Sequence, residues 1–308
     1  MIKQFNFYDI YGYLLPGILL IGLFWLPIGV LTQAWPDQDL SKALFLSVLA
    51  YIAGHILQSI AISFVPSTVR DRNNRQRFPS DLLLDKGDSR FGEKVKEQLA
   101  THVLDLFGIA LEVKQDWDGK GDLSKNRNDA FFQARSYLIA KQAARYAEQF
   151  EGLYAMMRGL GCSFFCGAVY IAGWALSFHR NSFRISSWMP IVLGLTLAVA
   201  LISASIAFFE EAARKKADHF LAWSLIVALL GSGFEAGVWR FQTIGEPAPA
   251  YAEPILWCSV LLTWIAAARC FSAYKSFALE FAKTIWRDFA ANLALQPTNT
   301  PSKADDCD

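Results

Sequence analysis

Two stretches near the N-terminus, Leu14 to Leu31 and Ala43 to Val65, contain no Asp, Glu, Lys or Arg. Runs of 18 or more such residues are what a hydrocarbon core roughly 30 Å thick demands of a helix. Further apolar segments follow at Gly159 to Phe178, Trp188 to Phe208 and Tyr251 to Ala268. Another, Phe220 to Phe234, is short and interrupted by Gly231, Ser232 and Gly233, so it reads as a span, a re-entrant element or an interfacial helix. The sequence therefore predicts about six transmembrane helices. With 54% of its residues hydrophobic, the chain is too apolar for an ordinary soluble domain.

Charge is expelled from these runs and gathered between them. Residues 66–158 hold 16 of the 29 Lys and Arg and 14 of the 28 Asp and Glu, a composition that belongs in water. Arg70, Arg72, Arg75 and Arg77 follow the second span directly, and by the positive-inside rule that end is cytosolic. Arg214, Lys215 and Lys216 after the fourth span agree, whereas Arg180 and Arg184 fall on the expected outer side. The expectation is an all-α, polytopic transmembrane helical bundle with a helical cytosolic insert between spans two and three. Its parts are a first transmembrane hairpin (1–65), the basic cytosolic insert (66–158), the remaining transmembrane helices (159–270), and a cytosolic amphipathic helix with a polar tail (271–308). Six spans put both termini in the cytoplasm. The N-terminal segment lacks a small-residue cleavage site before its long apolar run and reads as a retained span.

Within the insert, Phe91, Val95, Leu99, Val103 and Leu106 recur every three or four residues and predict one amphipathic helix. Asn128 suits the N-cap of a second helix from Asp129, and no proline or strong breaker intervenes before the third span. That pattern predicts one helix running from the insert into span three.

Few residues suggest chemistry. P-loop, HExxH, nucleophile-elbow and GxGxxG patterns are all missing, so neither enzyme nor cofactor is expected. The alternating acids of Asp116 to Asp122 imitate a calcium loop, but Lys120 and Arg127 stand where oxygen ligands are needed. Cys162, Cys166, Cys258, Cys270 and Cys307 are an odd set, four of them in or beside apolar runs, and read as packing residues.

Polar residues inside spans are functional candidates by default. Gln58, Ser59 and Ser63 continue a polar stripe from His55 at spacings of three and four along span two. They form either a hydrophilic face that lines a pore or a set of hydrogen bonds between helices. Glu210 and Glu211, at the inner end of span four, would form a cation-favouring ring in an oligomer or else lie solvated beside Arg214.

The arginines after span two have two readings. Binding to anionic lipid headgroups of the bilayer is one. The other is a polyanionic ligand, an oligonucleotide or cyclic nucleotide, held by Arg70, Arg72, Arg75 and Arg77 with Arg127, Arg135, Lys141 and Arg145 completing the pocket. Phe78, Trp117, Phe131, Phe132 and Tyr137 would be available to stack on bases.

The opening FYDIYGYLLPGILLIGLF (Phe7 to Phe24), the segment YIAGHILQSI (Tyr51 to Ile60) followed by arginines, and QFEGLYAMMRGL (Gln149 to Leu160) together resemble membrane proteins of bacterial anti-phage defence operons. The layout resembles the ion-channel effector of Hailong-type systems, in which a nucleotidyltransferase makes a nucleic-acid-like signal. The resemblance covers residues 5–160. It implies a tetramer-like channel in the bacterial inner membrane, an operon-encoded nucleotidyltransferase partner, a resting state closed by an oligodeoxyadenylate, and growth arrest on opening. The other readings are a membrane scaffold anchoring a cytosolic partner, a small transporter, or a membrane-embedded enzyme.

Overall fold

The computed structural model describes residues 9–35, 39–65, 69–70, 76–85, 88–111, 122–177, 226–234, 236 and 249–294. Span four, Glu210, Glu211, Arg72, Arg75, the Asp116 loop and the polar tail lie outside the described residues, as does the side chain of Ser63.

A π-helical turn, Asp9–Leu14, leads into α1, Leu15–Thr32. Then come α2, Leu40–Phe64; a two-residue ladder of β1, Val69–Arg70, and β2, Gln76–Arg77; α3, Pro79–Leu83; α4, Glu93–Phe107; α5, Asp122–Ala140; and α6, Arg145–Ser177. Residues 226–234 form α7, and α8 runs from Ala252 to Ala294. Among the described residues, four helical stretches are long and apolar enough to cross a membrane: Asp9–Thr32, Ser41–Ile62, Arg145–Ser177 and Ala252–Ala294. At 1.5 Å per residue the last two extend about 50 and 65 Å, well beyond a 30 Å core.

The chain divides into two compact units. The first comprises Met1–Ser67 and Gly152–Ser276, the second Thr68–Glu151 and Phe277–Asp308. The boundary thus falls inside α6 and inside α8, and residues 277–294 group with the charged segment.

In the first unit, helix backbones meet where side chains are smallest. A Cβ built on Gly17 would lie 1.8 Å from the Ala50 carbonyl oxygen, and one on Gly54 would lie 1.9 Å from that of Tyr13. The α1–α2 crossing therefore admits only glycine at both places. Gly173 of α6 and Gly233 of α7 repeat the device, with hypothetical Cβ atoms 2.1 Å from Leu230 O and 2.2 Å from Tyr170 O. Around these crossings Leu23, Leu31, Ile171, Trp174 and Leu256 form one apolar cluster, and Leu57, Ala61, Cys162, Cys166 and Tyr274 another.

Aromatic packing organises the second unit. Trp286 and Phe289 of α8 are completely buried, the first with its ring 5.7 Å from Phe131, the second 5.7 Å from both Phe107 and Tyr137. Leu83, Leu99, Val103 and Leu138 complete this core. The predicted amphipathic helix is α4, with Leu99 and Val103 on its buried face, while Leu106 is exposed and Phe91 precedes the helix. Lys96 is buried because all three ammonium donors are used, on the carbonyls of Asp85 (2.8 Å) and Asp88 (2.7 Å) and on Glu93 Oε1 (3.0 Å).

Two expectations need correction. The helix placed from Asp129 begins at Asp122, so Asn128 is interior and not a cap. Nor is it continuous with span three: the chain breaks between Ala140 and Arg145, where Gln142 adopts the left-handed conformation (φ 55°). A non-glycine residue with that φ ends a helix as a C-cap would.

Candidate functional site

Pro16 has no amide hydrogen to give the carbonyl four residues back, that of Gly12. That carbonyl accepts from Gln58 Nε2 at 2.7 Å. The same nitrogen donates to Ala155 O at 2.7 Å, and Gln58 Oε1 accepts from Arg158 Nε at 3.1 Å and Nη2 at 3.0 Å. Two amide donors and two carbonyl lone pairs are the full capacity of a glutamine, and all four are engaged. One side chain thereby ties the N-terminal turn, α2 and α6. Gly159 makes room for it, since a Cβ there would come within 2.7 Å of both Gln58 Nε2 and Pro16 Cγ. Ser163 closes the cluster by donating to Pro16 O at 2.8 Å.

Arg158 is the residue that sequence reasoning passed over. It was expected at the edge of the insert, yet it is buried with 8% of its surface exposed, and among the described residues no carboxylate pairs with it. Its guanidinium is held by Gln58 and lies 5.9 Å from the Tyr274 ring centroid, a cation–π arrangement. The available signal was an arginine inside MMRGLG, followed only by uncharged residues as far as Phe178.

Of the polar residues of span two, Gln58 is buried inside the first unit, where its hydrogen bonds realise the alternative of bonding between helices. His55 and Ser59 are exposed instead. The His55 ring stacks on Tyr13, with centroids 3.7 Å apart and planes at 15°, and meets the edge of Tyr51 at 4.6 Å. Among the described residues neither of its ring nitrogens has a hydrogen-bond partner, while Ser59 Oγ donates to His55 O at 3.0 Å.

No family model, curated protein or solved structure matches the chain.

The basic residues grouped as a ligand pocket differ in their surroundings where the structure describes them. Arg127 is buried in an ion pair with Asp81 (Nη1–Oδ1 2.7 Å), and Arg135 pairs with Glu151 (2.6 Å) beside the Phe281 ring. Both charges are neutralised within the second unit. Arg77 lies on β2 opposite Val69 and reaches Asp85 at 3.4 Å; Arg70 pairs with Gln76 in the same ladder. Lys141 and Arg145 flank the break between α5 and α6 with exposed side chains, Lys141 Nζ lying 6.0 Å from the Tyr137 ring centroid. Of the aromatics expected to stack on bases, Phe131 is in the core and Phe132 is exposed.

Proposed function

We propose that the protein is an integral membrane protein that assembles as a homo-oligomeric ion channel, with the second unit as its cytosolic signal receiver. The observation that carries this reading is the position of His55. It stands nine residues before the end of α2, about 14 Å along the helix axis and so near mid-membrane. There it is exposed on a face otherwise built from Leu44, Phe45, Val48, Ile52 and Ile56. Presenting an imidazole to lipid at that depth is costly, whereas a neighbouring subunit or a water-filled pore accommodates it. Ser59, one turn further, extends the same polar line.

Reception of an anionic signal falls to Lys141 and Arg145, whose side chains are exposed. Phosphate recognition needs cationic donors not already committed to carboxylates. Arg145 opens α6, the helix that also carries Arg158 and Gly159 in its sequence. The resemblance to Hailong-type effectors supports a role in bacterial anti-phage defence at the inner membrane.

The test is planar-bilayer recording of the purified full chain, with and without oligodeoxyadenylates, beside His55→Leu. Ligand-dependent current that His55→Leu abolishes is expected; no current from the wild-type chain under any of these conditions overturns the channel. The saturation of Gln58 inside one subunit favours a second reading, a membrane scaffold. That reading is supported if the oligomer forms but carries no current.

A further inference from the structure

Three aromatic side chains meet where the π-helical turn packs on α2. The His55 ring lies flat on Tyr13 at 3.7 Å, Tyr51 meets it edge-on at 4.6 Å, and the two tyrosine rings are 6.1 Å apart. Gly54 lets the two elements come this close, because a Cβ there would lie 1.9 Å from Tyr13 O. The imidazole is held by ring contacts: among the described residues neither nitrogen has a hydrogen-bond or ion-pair partner, and the residue is exposed.

We propose that the proton regulates conduction at this point: protonation of His55 turns a neutral circle of imidazoles into a cationic one and shifts permeation from cations toward anions. This rests on the reading that α2 lines the pore of a homo-oligomeric channel. An imidazole changes charge between pH 5 and 8. A tyrosine face is electron-rich and holds an imidazolium by cation–π attraction, so the stack survives the gain of a proton. The switch is therefore one of charge and not of shape. Around it, the π-helical turn contributes Asp9, Tyr11 and Tyr13, and α1 no ionisable side chain. On α2 itself are Tyr51 and, about 20 Å along the axis, Lys42. On the buried side of α2 lie Arg158, Cys162 and Cys166 of α6 and Tyr274 of α8. Asp9 is the one carboxylate in this set; its charge bears on Tyr51, and it forms no ion pair with His55. The charge on His55 thus stays uncompensated, repeats once per copy around the axis, and repels cations while it attracts anions.

Reversal potentials of the purified full chain in planar bilayers, under a KCl gradient at pH 8 and at pH 5, test this with wild type, His55→Gln and His55→Arg. The potassium-to-chloride permeability ratio of the wild type is expected to fall about fivefold or more on acidification, the effect of one unit charge at contact distance in water. His55→Gln is polar but takes up no proton, and should show one ratio at both pH values. His55→Arg is charged throughout and should show the low ratio at both. His55→Asn takes the place of His55→Gln if the latter does not assemble. A wild-type ratio that ignores pH overturns the proton switch whatever the variants do, and so does the same pH shift in the neutral variant. Either result leaves the channel standing, whereas no current from the wild type at either pH overturns the channel and the switch with it.

Discussion

Gln58 and Arg158, a hundred positions apart in sequence, are joined by two hydrogen bonds from one guanidinium to one amide oxygen, at 3.1 and 3.0 Å. A buried charge without a carboxylate partner depends heavily on the dipoles that surround it. Replacing Gln58 by Leu strands the guanidinium and also orphans the carbonyls of Gly12 and Ala155. The expected cost is about 3 kcal/mol, read as a lowered unfolding midpoint in detergent. Arg158→Leu combined with Gln58→Leu should cost clearly less than the two single changes added together, because the pair is coupled; strict additivity would show that the contact carries no energy.

In the second unit the Arg127–Asp81 pair has both partners about nine-tenths buried. Asp81→Ala leaves a buried cation and is expected to destabilise that unit by about 3–5 kcal/mol. Arg135→Ala, which opens a part-buried pair with side chains 31% and 21% exposed, should cost less, about 1 kcal/mol. Denaturant titration followed by tryptophan fluorescence compares the two, and equal effects would contradict the assignment of Arg127 to the fold.

Gly17 and Gly22 lie five positions apart on α1 but differ in what surrounds them. Gly17→Ala drives a methyl group into the Ala50 carbonyl and is expected to separate α1 from α2, seen as lost thermal stability and increased proteolysis. Gly22→Ala meets open space and should leave both measurements within about 0.5 kcal/mol of wild type.

Exposure on α2 gives a prediction for labelling. In a cysteine-free background, His55→Cys and Ser59→Cys should react with a charged, water-soluble thiol reagent in the assembled protein, and Ile56→Cys should not. Equal labelling of all three would mean that the whole face meets water, and no labelling at all would mean that the polar line is sealed between subunits.

The long apolar helices were legible because length and hydropathy alone specify them, and the buried face of α4 was legible from its spacing. The break at 141–144 was not, since Lys141, Gln142, Ala143 and Ala144 are all good helix formers. Packing decides it: Leu138 and Ala144 on either side are buried, and the turn lets both be so. The polar stripe on span two misled for a related reason. Spacings of three and four put residues on neighbouring positions of a helix, but a bundle can expose one and bury the next, as it does with His55 and Gln58. Arg127 and Arg135 looked like ligand-binding cations because Asp81 and Glu151, which neutralise them, are 46 and 16 residues away in sequence.

The core of the second unit closes on Trp286 and Phe289, which lie within the last two dozen residues of the chain, while its other walls come from residues before 140. During synthesis those early walls emerge first and wait, with their apolar faces uncovered, until every helix of the first unit has been made. Completion of the charged unit is therefore a late event in the life of the chain, and a stop codon anywhere before α8 would release a protein in which that unit never finishes folding.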